Sequence, residues 1–586
     1  MNTPTNTPTS TPTSTPTNTP TSTPTSAPAT LRALIDERAA QYPDKPFLLA
    51  ALDDDEPVAP ERRASVLTFG ALRDDCRLLE TRFREAGLRP GDVISVFMGN
   101  GIQTARLLLA AMYSGLVANP LNLLCQPSQV RYIVGHSDTR MIFAARDTQA
   151  TIETALAGLR AEGLTRSIAV IETEPDDPAP PLLMRCEPAL VEAGAHGAGL
   201  TAAGSASVSA PASNPLTSRS PPQLAAEALA DASPEPAAGD VALLMYTSGT
   251  TGTPKGVLLS HRNLVANARN ISVEHRLDAD DRVLASLPLY HINGLVVTLL
   301  APLFHGGSAV MTPRFSARTF WRDVALHACT WINVVPTIVA YLLNADETCT
   351  YDLAALKFCR SASAALPADH HRAFEARFGI GVIETMGMTE TAAPVFSNPY
   401  EMTRRRVGSI GLPSGGEARV IDREGRDCAA DECGELILRG EQVMGGYYKR
   451  PEETAAAFTA DGWLRTGDLG YRDADGYFYI NGRAKELIIK GGENIAPREI
   501  DEALLRHPGV LDAAAVGVPD PAYGQDIVAF VVPRLNDGRA APDPAELREH
   551  CLRELGRYKT PKEFRFVDEL PRGPSGKVQR LKLVPT

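Results

Sequence analysis

The chain has 586 residues, 44% of them hydrophobic, and a formal net charge of -12. A chain of this length exceeds the size at which one hydrophobic core stops growing, so we expect two or more folding units. The acidic balance argues against a nucleic-acid-binding surface, and the longest nearly apolar run, residues 294–304, is too short for a membrane span, which needs about 20 residues.

The first 30 residues form a Thr-Pro repeat without a basic start or an apolar segment, so they do not resemble a secretory signal. Such a segment has nothing to bury, and we expect residues 1–30 to be a disordered tail without a catalytic part. The nine cysteines are scattered and form no C-x-x-C pair, which is typical of reduced thiols. These features predict a cytoplasmic protein.

Short strand-like runs alternate with helical patterns from residue 31 to about residue 336, which predicts layers of helices on parallel sheets. The clearest case is the strand-like run 93–98, which a helical pattern follows. Residues 192–240 are dominated by Ala, Ser, Pro and Gly, and we expect a flexible surface insertion there.

The pattern changes after the run RFGIGVIETMGMTETAAP to short strands with turn signals, which indicates a small β-rich unit. A third pattern begins near residue 482, where a helix is expected to open at Pro497 and strands and a second helix follow. This predicts a compact α+β unit of roughly 100 residues. The predicted domains are therefore an N-terminal domain, 31–482, and a C-terminal domain, 483–586.

The loop YTSGTTGTPKG, residues 246–256, follows a strand-like run and precedes a helical pattern that begins with a hydroxyl cap. Glycines let backbone N–H groups approach an anion, and hydroxyls donate further hydrogen bonds, so a polyphosphate site is plausible. The loop is not a Walker loop, because Pro254 precedes Lys255 and Gly256 follows it. A solvated surface turn is an equal alternative for this segment alone.

Four later segments, ETMGMTET, TGDLGY, GRAKELIIKGGENIAPREI and PRGPSGKVQR, add charged and hydroxyl groups. A carboxylate in a tight turn, such as Asp468, could accept both hydroxyls of a ribose. Singly, each segment has a structural explanation: Glu390 as a helix cap, Asp468 as a turn former, Arg483 or Lys577 as a solvated charge.

Together with the loop and with LPLYHINGL, GELILRG and DGWLRTGDLG, these segments occur in an order that resembles the adenylate-forming superfamily of acyl-CoA synthetases. The resemblance covers the chain from Leu31 to its end, and it is closest to oxalyl-CoA synthetases and 4-coumarate-CoA-ligase-like enzymes. It implies an α/β fold in which a large N-terminal domain of layered α/β subdomains, with a small β-rich unit, precedes a small mobile α+β C-terminal domain.

The implied activity is that of an AMP-forming acid-thiol ligase whose substrates are ATP, coenzyme A and a small carboxylic acid. The acid first forms an acyl-adenylate and is then transferred to the CoA thiol. The resemblance also implies Mg²⁺, and it leaves a monomer or a homodimer open. Alternatives are an adenylating enzyme with a non-CoA acceptor, a peptide-synthetase adenylation module and a non-enzymatic nucleotide-binding protein.

The resemblance assigns roles to individual residues. ATP binding falls on Thr247, Ser248, Gly249, Thr250, Thr251, Gly252, Lys255, Thr389, Asp468, Arg483 and Lys577. The catalytic group is Lys577, Thr389, Glu390 and His291, with Glu390 as the Mg²⁺ ligand. The hinge between domains falls on Lys485, and CoA contacts fall on Gly491 and Gly492. A core-packing histidine is the alternative for His291.

The segment SASAAL, residues 361–366, stands where the family usually carries Gly-Gly-Ala-Pro-Leu. The hydroxyls of Ser361 and Ser363, with His291 and Asn293, predict a polar acyl pocket for a short acid with a second anionic group. Oxalate and sulfoacetate are the expected acids.

A medium-chain or aryl acid is the alternative, because Val297, Val334 and Val335 could equally line an apolar pocket.

Overall fold

The computed structural model describes residues 28–51, 65–183, 235–247, 253–345, 349–534, 541–572 and 578–584. The predicted tail and insertion lie outside these ranges except at their ends. Thr30 caps the first helix by accepting a hydrogen bond from the backbone N–H of Ala33 at 3.1 Å. Asp240 accepts one from the backbone N–H of Ala237 at 2.8 Å, so residues 237–240 form an ordered turn.

The first sheet has nine strands, and the six in its centre run parallel. Its strands, in spatial order, are β15 (Leu412–Pro413), β14 (Ala393–Ser397), β13 (Val382–Met388), β12 (Phe358–Ser361), β11 (Trp331–Val334), β9 (Arg282–Ala285), β10 (Ser308–Met311), β1 (Pro46–Ala50) and β2 (Val66–Thr68). All four residues of β11 and of β12 are buried, as expected where helices cover both faces of a parallel sheet.

The second sheet has seven strands, of which five are parallel. Its strands, in spatial order, are β18 (Gly446–Tyr447), β8 (Lys255–Ser260), β7 (Val241–Thr247), β4 (Val117–Pro120), β3 (Val93–Phe97), β5 (Met141–Ala144) and β6 (Ala169–Glu172). The predicted strand at 93–98 and its helix are confirmed as β3 and the helix Ile102–Tyr113.

Helices connect and cover these sheets. In chain order they are α1 (Leu31–Gln41), α2 (Phe69–Glu85), α3 (Ile102–Tyr113), α4 (Pro127–His136), α5 (Gln149–Ala161), α6 (His261–Glu274), α7 (Ala301–His305), α8 (Phe320–Leu326), α9 (Pro336–Asn344), α10 (Ala368–Phe378), α11 (Pro451–Ala457), α12 (Pro497–Leu505) and α13 (Pro544–Lys559). A π-helix, Asn293–Leu300, directly precedes α7. No helix within the described ranges is long and apolar enough to span a membrane.

The β-rich unit is a four-stranded antiparallel sheet. Its strands, in spatial order, are β16 (Gly416–Ile421), β17 (Gly434–Gly440), β19 (Leu464–Arg472) and β20 (Phe478–Arg483). The turn between the last two contains Gly476 at φ 89°, a left-handed conformation that glycine adopts freely.

The C-terminal unit is a five-stranded sheet covered by α12 and α13. Its strands are β21 (Ile488–Lys490), β22 (Glu493–Ile495), β23 (Val510–Asp520), β24 (Gly524–Pro533) and β25 (Glu563–Phe566). The helix that opens at Pro497 is confirmed, and it packs in a core that includes Ile488, Leu504 and Leu547. The predicted fold class, a multi-sheet α/β domain followed by a small α+β domain, is confirmed.

Glu384 is a carboxyl group buried inside the first sheet, at 2% exposure in β13. Its Oε1 accepts a hydrogen bond from the backbone N–H of Leu366 at 3.3 Å, and its Oε2 has no partner among the described residues. Burial raises the pKa of Glu384 from its ordinary 4.5 to about 7. The folded protein therefore holds a proton on Glu384 that the unfolded chain releases at lower pH.

We expect Glu384 to make the folded state less stable as the pH rises from about 5 to about 7, because ionising a buried carboxyl group is unfavourable. Glu384→Gln removes the ionisation and should remove this part of the pH dependence. The difference in melting temperature, wild type minus Glu384→Gln, should be larger near pH 5 than near pH 8. A difference that is equal at both pH values would contradict the argument.

Candidate active site

The Thr- and Gly-rich loop connects two antiparallel strands. β7 ends at Thr247 and β8 begins at Lys255, and these two residues are paired across the ladder. The helix expected after the loop is confirmed, because Ser260 caps α6, but the strand β8 lies between the loop and this helix and was not expected. Strand pairing therefore positions Lys255 at the end of the loop. The predicted positions Ser248, Gly249, Thr250, Thr251 and Gly252 lie outside the described residues.

Lys255 and Glu390 come from different sheets and meet at one tyrosine ring. The Lys255 Nζ lies 5.0 Å from the centre of the Tyr447 ring. The Tyr447 hydroxyl donates a hydrogen bond to Glu390 Oε1 at 2.9 Å. Burial, with the Glu390 charge second, raises the pKa of Tyr447, so the hydroxyl keeps its proton and remains a donor. One tyrosine side chain therefore contacts both a cation and a carboxylate.

Thr389 and Glu390 lie in a short 3-10 turn, Thr389–Thr391, at the end of β13. Gly387 is required before this turn, because a Cβ there would lie 2.0 Å from the carbonyl oxygen of Ala393. The Thr391 hydroxyl donates to the same carbonyl oxygen at 2.8 Å. Close backbone approach therefore explains the glycine and the second threonine of MGMTET.

Asn267 of α6 forms hydrogen bonds with the backbone of this turn, a role that was not predicted from the sequence. Its Nδ2 lies 2.7, 2.8 and 3.1 Å from the carbonyl oxygens of Thr391, Ala392 and Pro394. One turn earlier, the Nδ2 of Asn263 donates to the carbonyl oxygens of Glu441 and Val443, in the segment that leads to Tyr447. The available signal was the spacing of the asparagines, which puts buried amides on one face of a helix.

Asp468 and Arg483, both predicted near a ribose, form an ion pair. The Arg483 Nε lies 2.9 Å from Asp468 Oδ1, and the two residues are directly paired between β19 and β20. Asp468 is only 4% exposed. The ladder therefore fixes the position of this carboxylate.

The residues predicted for the hinge and for CoA binding lie on the connections of the C-terminal unit. Lys485 is exposed in the turn between β20 and β21. Gly491 and Gly492, at φ 54° and 87°, form the two-residue turn between β21 and β22. Two central residues with positive φ are typical of a type I′ hairpin, which explains the glycine pair. Lys577 lies outside the described residues.

The predicted acyl-pocket residues are only partly brought together. His291 is partly exposed in the turn before the π-helix. Asn293, the first π-helical residue, donates from Nδ2 to Ser363 Oγ at 3.1 Å. Ser361 is fully buried, and its hydroxyl has no partner among the described residues. Side chains alternate along a strand, so Ser361 shares the face of Cys359 rather than that of Arg360.

Ser363 has a backbone φ of 73°, in the left-handed region where a side chain is strained. Such a conformation costs on the order of 1 kcal/mol or more in a residue other than glycine. The serine thus occupies a position at which the related motif carries glycine.

Arg360 lies at the centre of this group, and the sequence reasoning did not select it. It is 1% exposed, and its Nη1 donates to Asn293 Oδ1 at 2.9 Å and to Asn333 Oδ1 at 2.6 Å. Burial lowers the pKa of Arg360 to about 9. The missed signal was a single charge inside the otherwise uncharged strand FCRS.

The valines of the alternative apolar pocket pack in two different hydrophobic clusters. Val297 belongs to the large core under the π-helix, whereas Val334 belongs to a second core with Cys359. Val335 is partly buried against that second core. Val297 is therefore packed apart from Val334 and Val335.

Comparison with known proteins finds a family model described as AMP-binding enzyme over residues 35–448 and one described as AMP-binding enzyme C-terminal domain over residues 499–577. A sulfoacetate-CoA ligase from Cupriavidus necator is 61% identical over 555 residues, which covers 95% of this chain and 97% of that protein. An oxalate-CoA ligase from Arabidopsis thaliana is 32% identical over 94% of this chain and 97% of that protein.

Among solved structures, ATP-bound MatB from Rhodopseudomonas palustris matches with a TM-score of 0.77 and 28% identity. The match covers 95% of this chain and 98% of that chain.

We expect Asn267→Ala to slow adenylate formation by about ten- to a hundredfold, because the turn that carries Thr389 and Glu390 loses its donor and small displacements of reacting groups are costly. The rate of acid-dependent exchange between ATP and pyrophosphate measures this step. Asn398→Ala is the matched control: Asn398 is also buried and donates to the carbonyl oxygens of Glu384 and Ser409. Equal losses of exchange activity in the two variants would argue against a specific role for Asn267.

Proposed function

The chain belongs to the AMP-binding enzyme family and is an AMP-forming acid-thiol ligase, and from this premise we propose that the acid it joins to CoA is sulfoacetate. The observation that carries the proposal is the 61% identity, over nearly the whole of both chains, to a sulfoacetate-CoA ligase. The identity to an oxalate-CoA ligase over a similar length is 32%. The polar contacts of Asn293 and Ser363 also suit a short, charged acid better than a long apolar chain.

In the first half-reaction, the carboxylate of the acid attacks the α-phosphate of ATP and pyrophosphate leaves. Because negative charge is concentrated on the phosphates, positioned cations and hydrogen-bond donors stabilise this step. We assign the β- and γ-phosphates to Lys255 and to the loop hydroxyls of Ser248, Thr250 and Thr251, with the backbone of Thr247, Gly249 and Gly252 around them. Thr389 binds the α-phosphate. Lys577 contacts both the α-phosphate and the incoming carboxylate.

The ribose is assigned to Asp468, whose carboxylate accepts hydrogen bonds from hydroxyl groups. The ion pair with Arg483 orients the Asp468 carboxylate. Asp468 and Arg483 lie on paired strands, so the Asp468 carboxylate is already in position without a loop rearrangement.

Glu390 is the residue assigned to Mg²⁺. Only one of its oxygens accepts the Tyr447 hydroxyl, and a carboxylate oxygen is a donor that suits this ion. Mg²⁺ is usually held by one or two carboxylates together with substrate phosphates and water, a role that a single carboxylate such as Glu390 can serve. When bound, Mg²⁺ neutralises part of the phosphate charge.

In the second half-reaction, the CoA thiol attacks the carbonyl of the acyl-adenylate and AMP leaves. We assign the hinge for this step to Lys485, between an N-terminal domain at 31–482 and a C-terminal domain at 483–586. The Gly491-Gly492 turn, which has no side chains, allows the thiol arm to pass close to the backbone. His291 lies at the mouth between acid and thiol. Oligomeric state and cytoplasmic location stay predictions.

An acid panel tests the substrate. CoA-dependent AMP formation should be fastest, in kcat/KM, with sulfoacetate, lower with oxalate, and lowest with hexanoate or benzoate, because the apolar acids leave polar pocket groups without partners. A preference for hexanoate or benzoate would refute the proposal in favour of a medium-chain or aryl acid.

Lys577→Ala should lose adenylate formation by at least about a hundredfold, because the lysine supplies positive charge only where the carboxylate meets the α-phosphate. The same variant should still convert supplied acyl-adenylate and CoA to the thioester. Lys582→Ala, an exposed lysine of the same segment, is the control and should retain both half-reactions. Unchanged pyrophosphate release by Lys577→Ala would refute its assignment.

A further inference from the structure

Arg360 is a buried positive charge that has no negative partner among the residues the structure describes. No carboxylate forms an ion pair with it among the described residues, and its Nε has no hydrogen-bond partner there. Two amide oxygens, from Asn293 and Asn333, accept from Nη1. Amide oxygens solvate a guanidinium without neutralising it, and an uncompensated buried charge is unfavourable. The arrangement is therefore incomplete without an anion.

The position of Arg360 fits the far end of a short acid. Its strand, β12, is paired with β13, where Arg360 lies opposite Ile383, and Thr389 lies further along the chain at the end of β13. Arg360 therefore lies beside the strand that leads into the Thr389–Thr391 turn, opposite a residue that precedes this turn. Asn293 contacts both Arg360 and Ser363, and Ser363 is partly exposed, so polar contacts lead from the buried cation to a residue that solvent reaches.

A sulfonate has particular requirements when it is buried. It does not take up a proton at physiological pH, so it cannot lose its charge as a buried carboxyl group can. It therefore needs a permanent cation, and arginine is the side chain that keeps its charge and offers a planar set of donors to oxyanions.

We propose that Arg360 binds the sulfonate of sulfoacetate, at the end of the acid opposite the reacting carboxylate, and so selects acids that carry a second anionic group. This proposal rests on the proposed function. Asn293 and Asn333 orient the guanidinium, and the sulfonate supplies the charge that the pocket lacks.

Asn333→Asp is the decisive variant. It is nearly isosteric, and it gives Arg360 a carboxylate partner at a position where an amide oxygen already lies 2.6 Å away. The internal carboxylate neutralises the cation and repels the sulfonate, so kcat/KM for sulfoacetate should fall by about a hundredfold or more. Unchanged kcat/KM for sulfoacetate would overturn the proposal.

A second substrate separates charge recognition from a general loss of activity. Methylsulfonylacetate has nearly the same shape as sulfoacetate but no charge on sulfur. The wild type should prefer sulfoacetate by about a hundredfold in kcat/KM, and Asn333→Asp should abolish most of that preference. If both substrates lose activity equally, Arg360 is structural and the proposal is wrong.

Arg360→Lys provides the test if Asn333→Asp does not fold. It keeps the charge and loses the planar donors, so the preference for sulfoacetate should persist while its KM rises roughly tenfold or more. If Arg360→Lys still uses methylsulfonylacetate but no longer prefers sulfoacetate, Arg360 does not select the acid by its charge.

The wild type alone tests the proposed function. If it uses oxalate instead of sulfoacetate, the sulfonate assignment is wrong, and the same variants assayed with oxalate and its monomethyl ester decide whether Arg360 binds the second anionic group. If it prefers hexanoate or benzoate, both proposals are wrong.

Discussion

Buried amide-to-carbonyl hydrogen bonds from one helix hold the site together. α6 follows β8 of the second sheet, and its Asn267 donates to the turn after β13 of the first sheet. Asn263 does the same for the segment before Tyr447. These bonds act together with the β18–β8 pairing and the hydrogen bond from the Met444 N–H to the Glu390 carbonyl oxygen to bring Lys255 and Glu390 to the Tyr447 side chain. Since an unpaired buried carbonyl is costly, these contacts favour one relative position.

Two cations of the site are stabilised by different means, and the difference follows from burial. Lys255 is partly exposed and lies over the Tyr447 ring, whose hydroxyl contacts Glu390. Arg360 is fully buried, and within the described part of the chain its hydrogen-bond acceptors are neutral amide oxygens. A charge that water can reach is solvated whether or not a carboxylate is near. A buried charge depends on the polar groups of the protein around it.

The sequence predicted residues whose roles follow from local chemistry. Asp468 and Arg483 were expected to cooperate, and the ladder pairs them; Pro497 was expected to open a helix, and it does. β8 was missed because a short apolar run after glycine does not distinguish a strand from the start of a helix. Arg360 was missed because its partners, Asn293 and Asn333, are distant in the chain and meet it only when π-helix and strands pack. The residues of the phosphate loop and Lys577 lie outside the described ranges and stay predictions.

The left-handed serine at 363 sets the mutational behaviour of the pocket. Glycine relieves the strain at this position and removes the hydroxyl that Asn293 contacts. A glycine at position 363 would therefore raise thermal stability and at the same time remove a polar group from the pocket. Selection of variant libraries for heat tolerance alone would drive the pocket toward the glycine of the wider family, whereas selection for turnover of a charged acid would retain the strained serine.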